Sequence, residues 1–183
     1  MIKTVMAGAV AMALVSFGAN AATGAVAALP ANQGQGVVNF KGTVINSPCS
    51  IAQESADQTI NFGQISKNQL ENGGTSVRKD FDIKLMNCDV TAGKKVVSVA
   101  FSGTTIKGAN QELGTTGNTG TAIALASADG SLVAFDGATQ TGGTTLKNGD
   151  NTLKYSAWVK KATGGALQEG DFSAVANFNL TYQ

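Results

Sequence analysis

The chain has 183 residues, the size of one domain, and 43% are hydrophobic, which supports a packed core and argues against general disorder. Its 13 basic and 12 acidic residues leave a formal charge of +1, so the surface has no electrostatic reason to bind nucleic acid or an anionic membrane. Histidine is absent, which excludes Ser-His-Asp and Cys-His nucleophile systems and removes the commonest transition-metal ligand.

The first 21 residues have the pattern of a secretory signal peptide. Lys3 precedes an apolar run from Val5 to Phe17, and small residues follow at Ala19 and Ala21. A membrane anchor is the alternative, but the run is shorter than the roughly 20 residues that cross a bilayer. We therefore expect export and cleavage after Ala21 or the neighbouring alanine.

Cys49 and Cys88 are the two cysteines of the chain. In an exported protein an even count of two indicates one disulfide bridge, here closing a loop with a separation of 39 positions. Chain-entropy arguments assign on the order of 4 kcal/mol to such a loop. A reactive thiol is the alternative, but there is no Cys-x-x-Cys motif and no neighbouring group that would lower a cysteine pKa.

The mature chain begins with a tail of small residues, 22–33, and then changes to a period of two. Gly34, Gly36, Val38 and Phe40 share one face of an extended segment, and Gly42 and Val44 continue that face. Residues 22–40 therefore read as an N-terminal extension, and residues 41–183 as the folded domain.

Seven further segments with short apolar or alternating patterns predict strands, and Gly, Asn, Asp and Thr residues supply turns between them. They are residues 59–62, 81–85, 97–101, 122–126, 132–135, 153–159 and 174–182. Residues 68–72 predict a short helical turn, and the Gly/Thr-rich stretches 114–120 and 139–145 predict exposed loops. The pattern predicts an all-β antiparallel sandwich, with immunoglobulin-like topology as the leading option.

The two ends of the chain have patterns that are unusual for a soluble domain. The predicted last strand, 174–182, stops one residue before the C-terminus, with an apolar alternate face and no strand after it. If the sandwich lacks a closing strand, an extended segment such as 34–40 from another copy can fill the gap, and this pairing builds an open filament. The alternative is that both ends are ordinary sheet edges of a complete domain.

The sequence gives little support for a catalytic, metal-binding or small-molecule site. The acidic residues show no spacing that indicates a facing pair for glycoside hydrolysis, and solvated carboxylates are the expected state. Asp129-x-Ser131 and Asp136-Gly137 lack the calcium-loop pattern, and no helix follows Gly34-Gln35-Gly36 to cradle a phosphate. Trp158 could stack on a sugar, but a packed tryptophan is the commoner case. We expect no enzyme activity, cofactor, metal or small-molecule substrate.

At these motifs the chain resembles the major subunits of chaperone–usher pili, those of the P-pilus type in particular, over nearly its whole length. Two features are specific to that class: Tyr182 is a penultimate aromatic residue, and Gly170 is the fourteenth residue from the end. The other matching stretches are residues 34–44, 48–50, 61–64, 87–89, 120–123 and 172–183.

The resemblance implies an incomplete immunoglobulin-like fold in which a periplasmic chaperone first supplies the missing strand. An outer-membrane usher then catalyses exchange for the N-terminal segment of the next subunit. It assigns the donor strand to Gly34, Gly36, Val38 and Phe40, and the C-terminal carboxylate of Gln183 to basic chaperone residues. The strand beside the groove is assigned to Gly170, Ala174, Ala176, Phe178, Leu180 and Tyr182.

The implied function is a structural subunit of a fimbrial rod on the bacterial surface that supports adhesion. Its implied partners are identical subunits, the chaperone, the usher, and adaptor or minor pilins, with no nucleic acid. A carbohydrate-binding module or tip adhesin is the second hypothesis, but the 162 mature residues leave no room for the added lectin domain of such adhesins. A secreted hydrolase is the third, and the missing histidine speaks against it.

Overall fold

The computed structural model describes residues 36–91 and 93–183, so the signal-peptide prediction and Gly34 lie outside the described residues. The chain divides into two units, residues 1–43 and 44–183. In the first unit, residues 36–43 have exposed side chains and no regular secondary structure. The second unit contains all the strands and helices below.

This unit contains ten strands and two short helices. The strands are β1 (Ser50–Ile51), β2 (Lys79–Cys88), β3 (Val96–Gly103), β4 (Thr105–Ile106), β5 (Ala109–Gly114), β6 (Thr121–Ser127), β7 (Asp136–Gln140), β8 (Thr144–Thr145), β9 (Gly149–Lys161) and β10 (Ala176–Tyr182). The helices are α1 (Gln53–Ala56) and α2 (Lys67–Glu71), and neither is long and apolar enough to cross a membrane.

The strands form two antiparallel sheets with the core between them. The larger sheet has the order β1-β2-β9-β6-β5-β4, and the smaller has β10-β3-β7, with β8 also paired to β3. The alternation predicted for residues 81–85 and 153–159 sends Ile83, Leu153 and Val159 into the core, where each is at most 4% exposed. Val97, Val99 and Phe101 of β3 cover them from the other sheet. The prediction of an all-β sandwich is confirmed.

Most of the predicted strands are confirmed, but two are wrong. Residues 59–62 are not in a strand but line a groove between the sheets. Residues 132–135 form a crossing segment instead of a strand. The amide of Val133 bonds Leu125 in the larger sheet, whereas the carbonyl of Phe135 accepts from Gly103 in the smaller, so the segment passes from one sheet to the other.

The predicted loops also need correction. Residues 136–140 form β7, and 144–145 form β8, at the edge of the smaller sheet. Their side chains are exposed, so the sequence carries no apolar alternation to announce a strand. Thr119, expected in an exposed loop, is 2% exposed and bonds Thr121 through its hydroxyl. The short helical turn predicted for residues 68–72 is confirmed as α2.

The disulfide between Cys49 and Cys88 joins the residue before β1 to the last residue of β2. Both cysteines are buried, and they lie at the same end of the larger sheet as the pairing of Ser50 with Met86. Because β1 has only two residues, its pairing alone is weak, and the covalent bond holds this edge strand in place.

A buried ion pair secures the segment that follows β9. Glu112 of β5 is 7% exposed, although solvated carboxylates were the state expected from the sequence. Its carboxylate accepts hydrogen bonds from Lys160 Nζ at 2.7 Å, from the Thr163 amide at 2.8 Å and from the Thr163 hydroxyl at 2.7 Å. Burial raises the pKa of Glu112, but the hydrogen bonds from Lys160 and Thr163 and the Lys160 charge outweigh it, so this pKa lies below its ordinary value.

We predict that replacing both cysteines, Cys49→Ser with Cys88→Ser, destabilises the domain by about 4 kcal/mol, because the unfolded chain regains the entropy of the closed loop. Urea unfolding of the purified protein measures this loss, and the yield of Cys49→Ser from the exported compartment should fall with it. Unfolding midpoints equal to those of the unaltered protein would show that the bridge does not stabilise β1.

We predict that Glu112→Gln costs about 1–3 kcal/mol at neutral pH, since Lys160 loses its charged partner. The lowered pKa means that the stabilisation is present above the unfolded-state pKa and disappears as pH falls through the folded-state pKa. Urea unfolding of the two proteins should therefore differ at pH 7 and converge in acid. Glu71→Gln, at an exposed pair with Lys67, is the matched control with a small effect at both pH values. A stability gap that persists in acid would contradict the assignment.

Candidate functional site

A long open groove of about 1280 Å³ runs between the two sheets of residues 44–183. Two chain segments form its walls, residues 167–178 on one side and residues 55–65 on the other. Core side chains of both sheets form its floor: Ile83, Phe101, Leu113, Ile123, Leu125 and Ala157. The groove therefore opens directly onto the hydrophobic core.

The first wall consists of residues 167–175, which lead into β10, and of residues 176–178 at the start of that strand. Side chains alternate from Phe172 to Leu180, with Phe172, Ala174, Ala176, Phe178 and Leu180 facing inward. All five of these apolar side chains are only partly buried, whereas their neighbours Val97, Val99 and Phe101 on β3 are at most 3% exposed. The inner face of β10 is thus an apolar stripe with incomplete cover.

The backbone of β10 is paired along one side alone. It bonds β3 from Ala176↔Gly103 to Tyr182↔Val97, and it is the terminal strand of its sheet. Among the residues that the structure describes, no strand lies on its other side, so that row of N–H and C=O groups is unpaired.

The second wall is the segment that was wrongly predicted as a strand. Ile60, Phe62 and Ile65 turn partly buried side chains to the groove. No backbone–backbone hydrogen bond joins residues 59–65 to any other described residue, and only the Gly63 amide bonds the Asn61 side chain. The sequence pattern was right about the alternation, but a strand also needs a backbone partner, and this chain supplies none within its described part.

Aromatic rings link the walls to the floor. Phe62 and Phe172, on opposite walls, have ring centroids 6.4 Å apart, and Phe178 lies 6.3 Å from Phe101. Phe101 in turn packs edge-on to Tyr155 at 5.1 Å. Burial raises the pKa of Tyr155, since the charged phenolate is disfavoured in this apolar setting, while a hydrogen bond with Thr141 opposes the shift. Tyr155 thus packs behind the aromatic floor of the groove, and its apolar surroundings favour the neutral phenol.

Gly170 begins the wall that leads into β10. Its φ of 148° is a backbone conformation that side-chain-bearing residues rarely adopt, which explains a glycine at this position. Thr119 and Thr121 line this end of the groove, and their hydroxyls bond one another at 2.8 Å. This end of the groove is therefore more polar than its centre.

The structure places the predicted groove residues in two groups. Gly170, Ala174, Ala176 and Phe178 line the groove. Leu180 and Tyr182 continue the same face against the core beyond the lining, and Gln183 pairs with Val96 through bonds of 2.9 Å in both directions. The groove thus lies beside the first half of β10, and its lining ends before the second half.

The predicted donor residues belong to the first unit of the chain. Gly36, Val38 and Phe40 lie in the described part, and Val38 and Phe40 are 72% and 90% exposed. An added Cβ at Gly36 would meet nothing within 4 Å. Val37 and the start of the second unit, Val44 and Ile45, are also strongly exposed, so the segment carries much apolar surface.

The alternative sites weighed from the sequence gain no support. Trp158 is 7% exposed on the outer face of the larger sheet, packed with Ala124 and Ala126 and covered by the Arg78 guanidinium 3.9 Å from the ring centroid. It is a packed residue with no free face for a sugar. Within residues 36–91 and 93–183, no group of three His, Cys, Asp or Glu side chains could hold a metal ion.

Known proteins are similar to this chain in sequence and in fold. The family model described as fimbrial protein matches residues 38–183. The Pap fimbrial major pilin protein of Escherichia coli is 55% identical, and the KS71A fimbrillin of the same species is 54% identical, each over the full length of both chains. The fimbria A protein of Serratia marcescens is 42% identical over 84% of this chain and 87% of its own.

Solved structures agree with the sequence comparisons. A chaperone–usher pilus structure matches with a TM-score of 0.78 and 53% identity, covering 85% of this chain and all of the other. The crystal structure of the P pilus rod subunit PapA matches with a TM-score of 0.71 and 53% identity, covering 75% of this chain and all of that subunit. The chain therefore belongs to the fimbrial protein family.

Proposed function

We propose that the protein is the structural major subunit of a pilus rod, not an enzyme, and that it polymerises by accepting a strand from the next copy. One observation carries the proposal: a groove open to the core lies between two chain segments whose facing backbones are unpaired. The same fold occurs in the P pilus rod subunit and in a chaperone–usher pilus.

An inserted strand would satisfy both walls at once. Its backbone can form hydrogen bonds with the free side of β10 and with residues 59–65. The backbone N–H and C=O groups that are unpaired on both walls would then have partners within the protein. Its alternate side chains would cover the half-buried stripe from Phe172 to Leu180. Burying one valine and one phenylalanine contributes about 1.5–3 kcal/mol each, before the cost of ordering the segment.

The shape of the groove supports the segment from Gly34 to Phe40 as this strand and indicates its direction. The lining reaches along β10 only as far as Phe178, so the open space lies beside the start of β10. A strand antiparallel to β10 would set the bulky Val38 and Phe40 in this open part. Its glycines Gly34 and Gly36 would then lie beside the second half of β10, beyond the lining, where a small residue lets the backbone approach.

The remaining assignments rest on the sequence pattern and on the family resemblance. Residues 1–21 would act as the signal peptide, residues 22–40 as the extension that donates the strand, and residues 41–183 as the pilin domain. Before assembly, a periplasmic chaperone would fill the groove and bind the Gln183 carboxylate, and an outer-membrane usher would catalyse the exchange. The finished fimbria, with adaptor or minor pilins, lies on the bacterial surface and supports adhesion.

We predict that the mature chain without residues 22–40 is monomeric and poorly stable, because its groove stays empty. A synthetic peptide of residues 33–41 should raise its melting temperature by many degrees, measured by circular dichroism. A peptide with Val38 and Phe40 both replaced by Asn is the matched control and should have little effect. A truncated domain that is already stable and does not respond to the peptide would rule out strand donation.

We predict that Gly36→Leu stops filament formation while the subunit folds normally. An added Cβ at this position has no atom within 4 Å in the free subunit. In the next subunit the side chain would meet the second half of β10, beyond the groove lining. Asn39→Leu, on the opposite face of the segment, is the control and should assemble. Electron microscopy of cells that express each variant with the assembly proteins checks this, and normal filaments from Gly36→Leu would place the glycine elsewhere.

A further inference from the structure

Lys41 is the only charged side chain between residues 22 and 53. It directly follows Phe40, so in an extended strand its side chain points away from the face that Val38 and Phe40 share. When that face is turned to the core, Lys41 stays on the solvent side, at the rim of the groove.

The rim of the groove carries the opposite charge. Asp57 on one wall and Glu169 and Asp171 on the other are exposed carboxylates that line the groove. None of the three forms an ion pair with a described residue. The one cation of the lining, Lys67, lies 3.8 Å from Glu71 and is partly neutralised by it. The lining therefore has a net negative charge.

These charges are not spread evenly along β10. Glu169 and Asp171 line the groove in the segment that precedes the first residue of β10. At its other end Gln183 pairs with Val96, and the exposed Lys94 and Lys95 come just before Val96. A strand that brings Lys41 to the start of β10 is attracted, and a strand inserted in the reverse direction brings Lys41 towards two lysines.

We propose that Lys41 of one subunit is recognised by the acidic rim of the next, formed by Asp57, Glu169 and Asp171, and that this attraction selects the antiparallel direction of the incoming strand. The proposal rests on the strand donation proposed above and adds the residues that orient it. Exposed ion pairs add little to equilibrium stability, so the effect falls mainly on the rate of productive insertion.

The test is the initial rate of filament growth by the full mature chain, followed by light scattering at low and high salt. Lys41→Glu should slow growth about 10-fold at low salt and Lys41→Gln about 3-fold. Both should approach the unaltered rate at high salt, where charges more than a few ångströms apart are screened. Lys107→Glu is the control, since it makes the same charge change on the β4–β5 turn, away from the groove lining, and should grow at the unaltered rate.

A charge swap within one chain separates recognition from a general charge effect. Lys41→Glu combined with Glu169→Lys and Asp171→Lys should recover most of the lost rate, because each chain is both donor and acceptor. The proposal fails if Lys41→Glu grows like Lys107→Glu at low salt, or if the swap gives no recovery. Either result leaves strand donation intact. Filament growth by the chain without residues 22–40 would instead overturn strand donation itself.

Discussion

The free side of β10 is the constraint on which the rest of the structure depends. An interior or covered strand would bury both its backbone groups and its inward side chains, yet β10 bonds β3 on one side and leaves Phe172 to Leu180 only partly covered. A hydrophobic core cannot remain open to water without a large cost in stability. The strand donation that we propose would cover this part of the core, so the same event would complete the fold and join one subunit to the next.

Both walls of the groove are anchored at their starts. The disulfide holds the short β1, which leads into the second wall, and the Glu112–Lys160–Thr163 contacts hold the turn that leads into the first. The bonds that anchor the walls therefore lie outside the groove, while its floor consists of core side chains.

Much of this architecture could be predicted from the sequence, for a physical reason. Where one face of a strand is buried, as in residues 81–85 and 153–159, the period of two appears directly in the residues. It fails for β5 and β7, whose sequences have no alternating apolar face, and for residues 132–135, which are all apolar yet cross between the sheets. The Glu112 ion pair also left no signal, because burial of a carboxylate depends on Lys160, 48 positions away.

The groove itself was only half visible in the sequence. The apolar alternation of residues 174–182 predicted the strand of the first wall, but the opposite wall was taken for an ordinary strand. Residues 59–62 carry the right alternation, and nothing in a single sequence says whether a strand has a partner. The wall became recognisable only when the structure showed its backbone groups without bonds.

Amide hydrogen exchange tests the central claim most directly, by comparing the free subunit with the assembled filament. If a strand from a second copy fills the groove, the amides of residues 59–65 and those of β10 that do not bond β3 should exchange fast in the subunit and slowly in the filament. The amides of Gly36 to Phe40 should become protected at the same time. Equal exchange of all three segments in both forms would contradict the account.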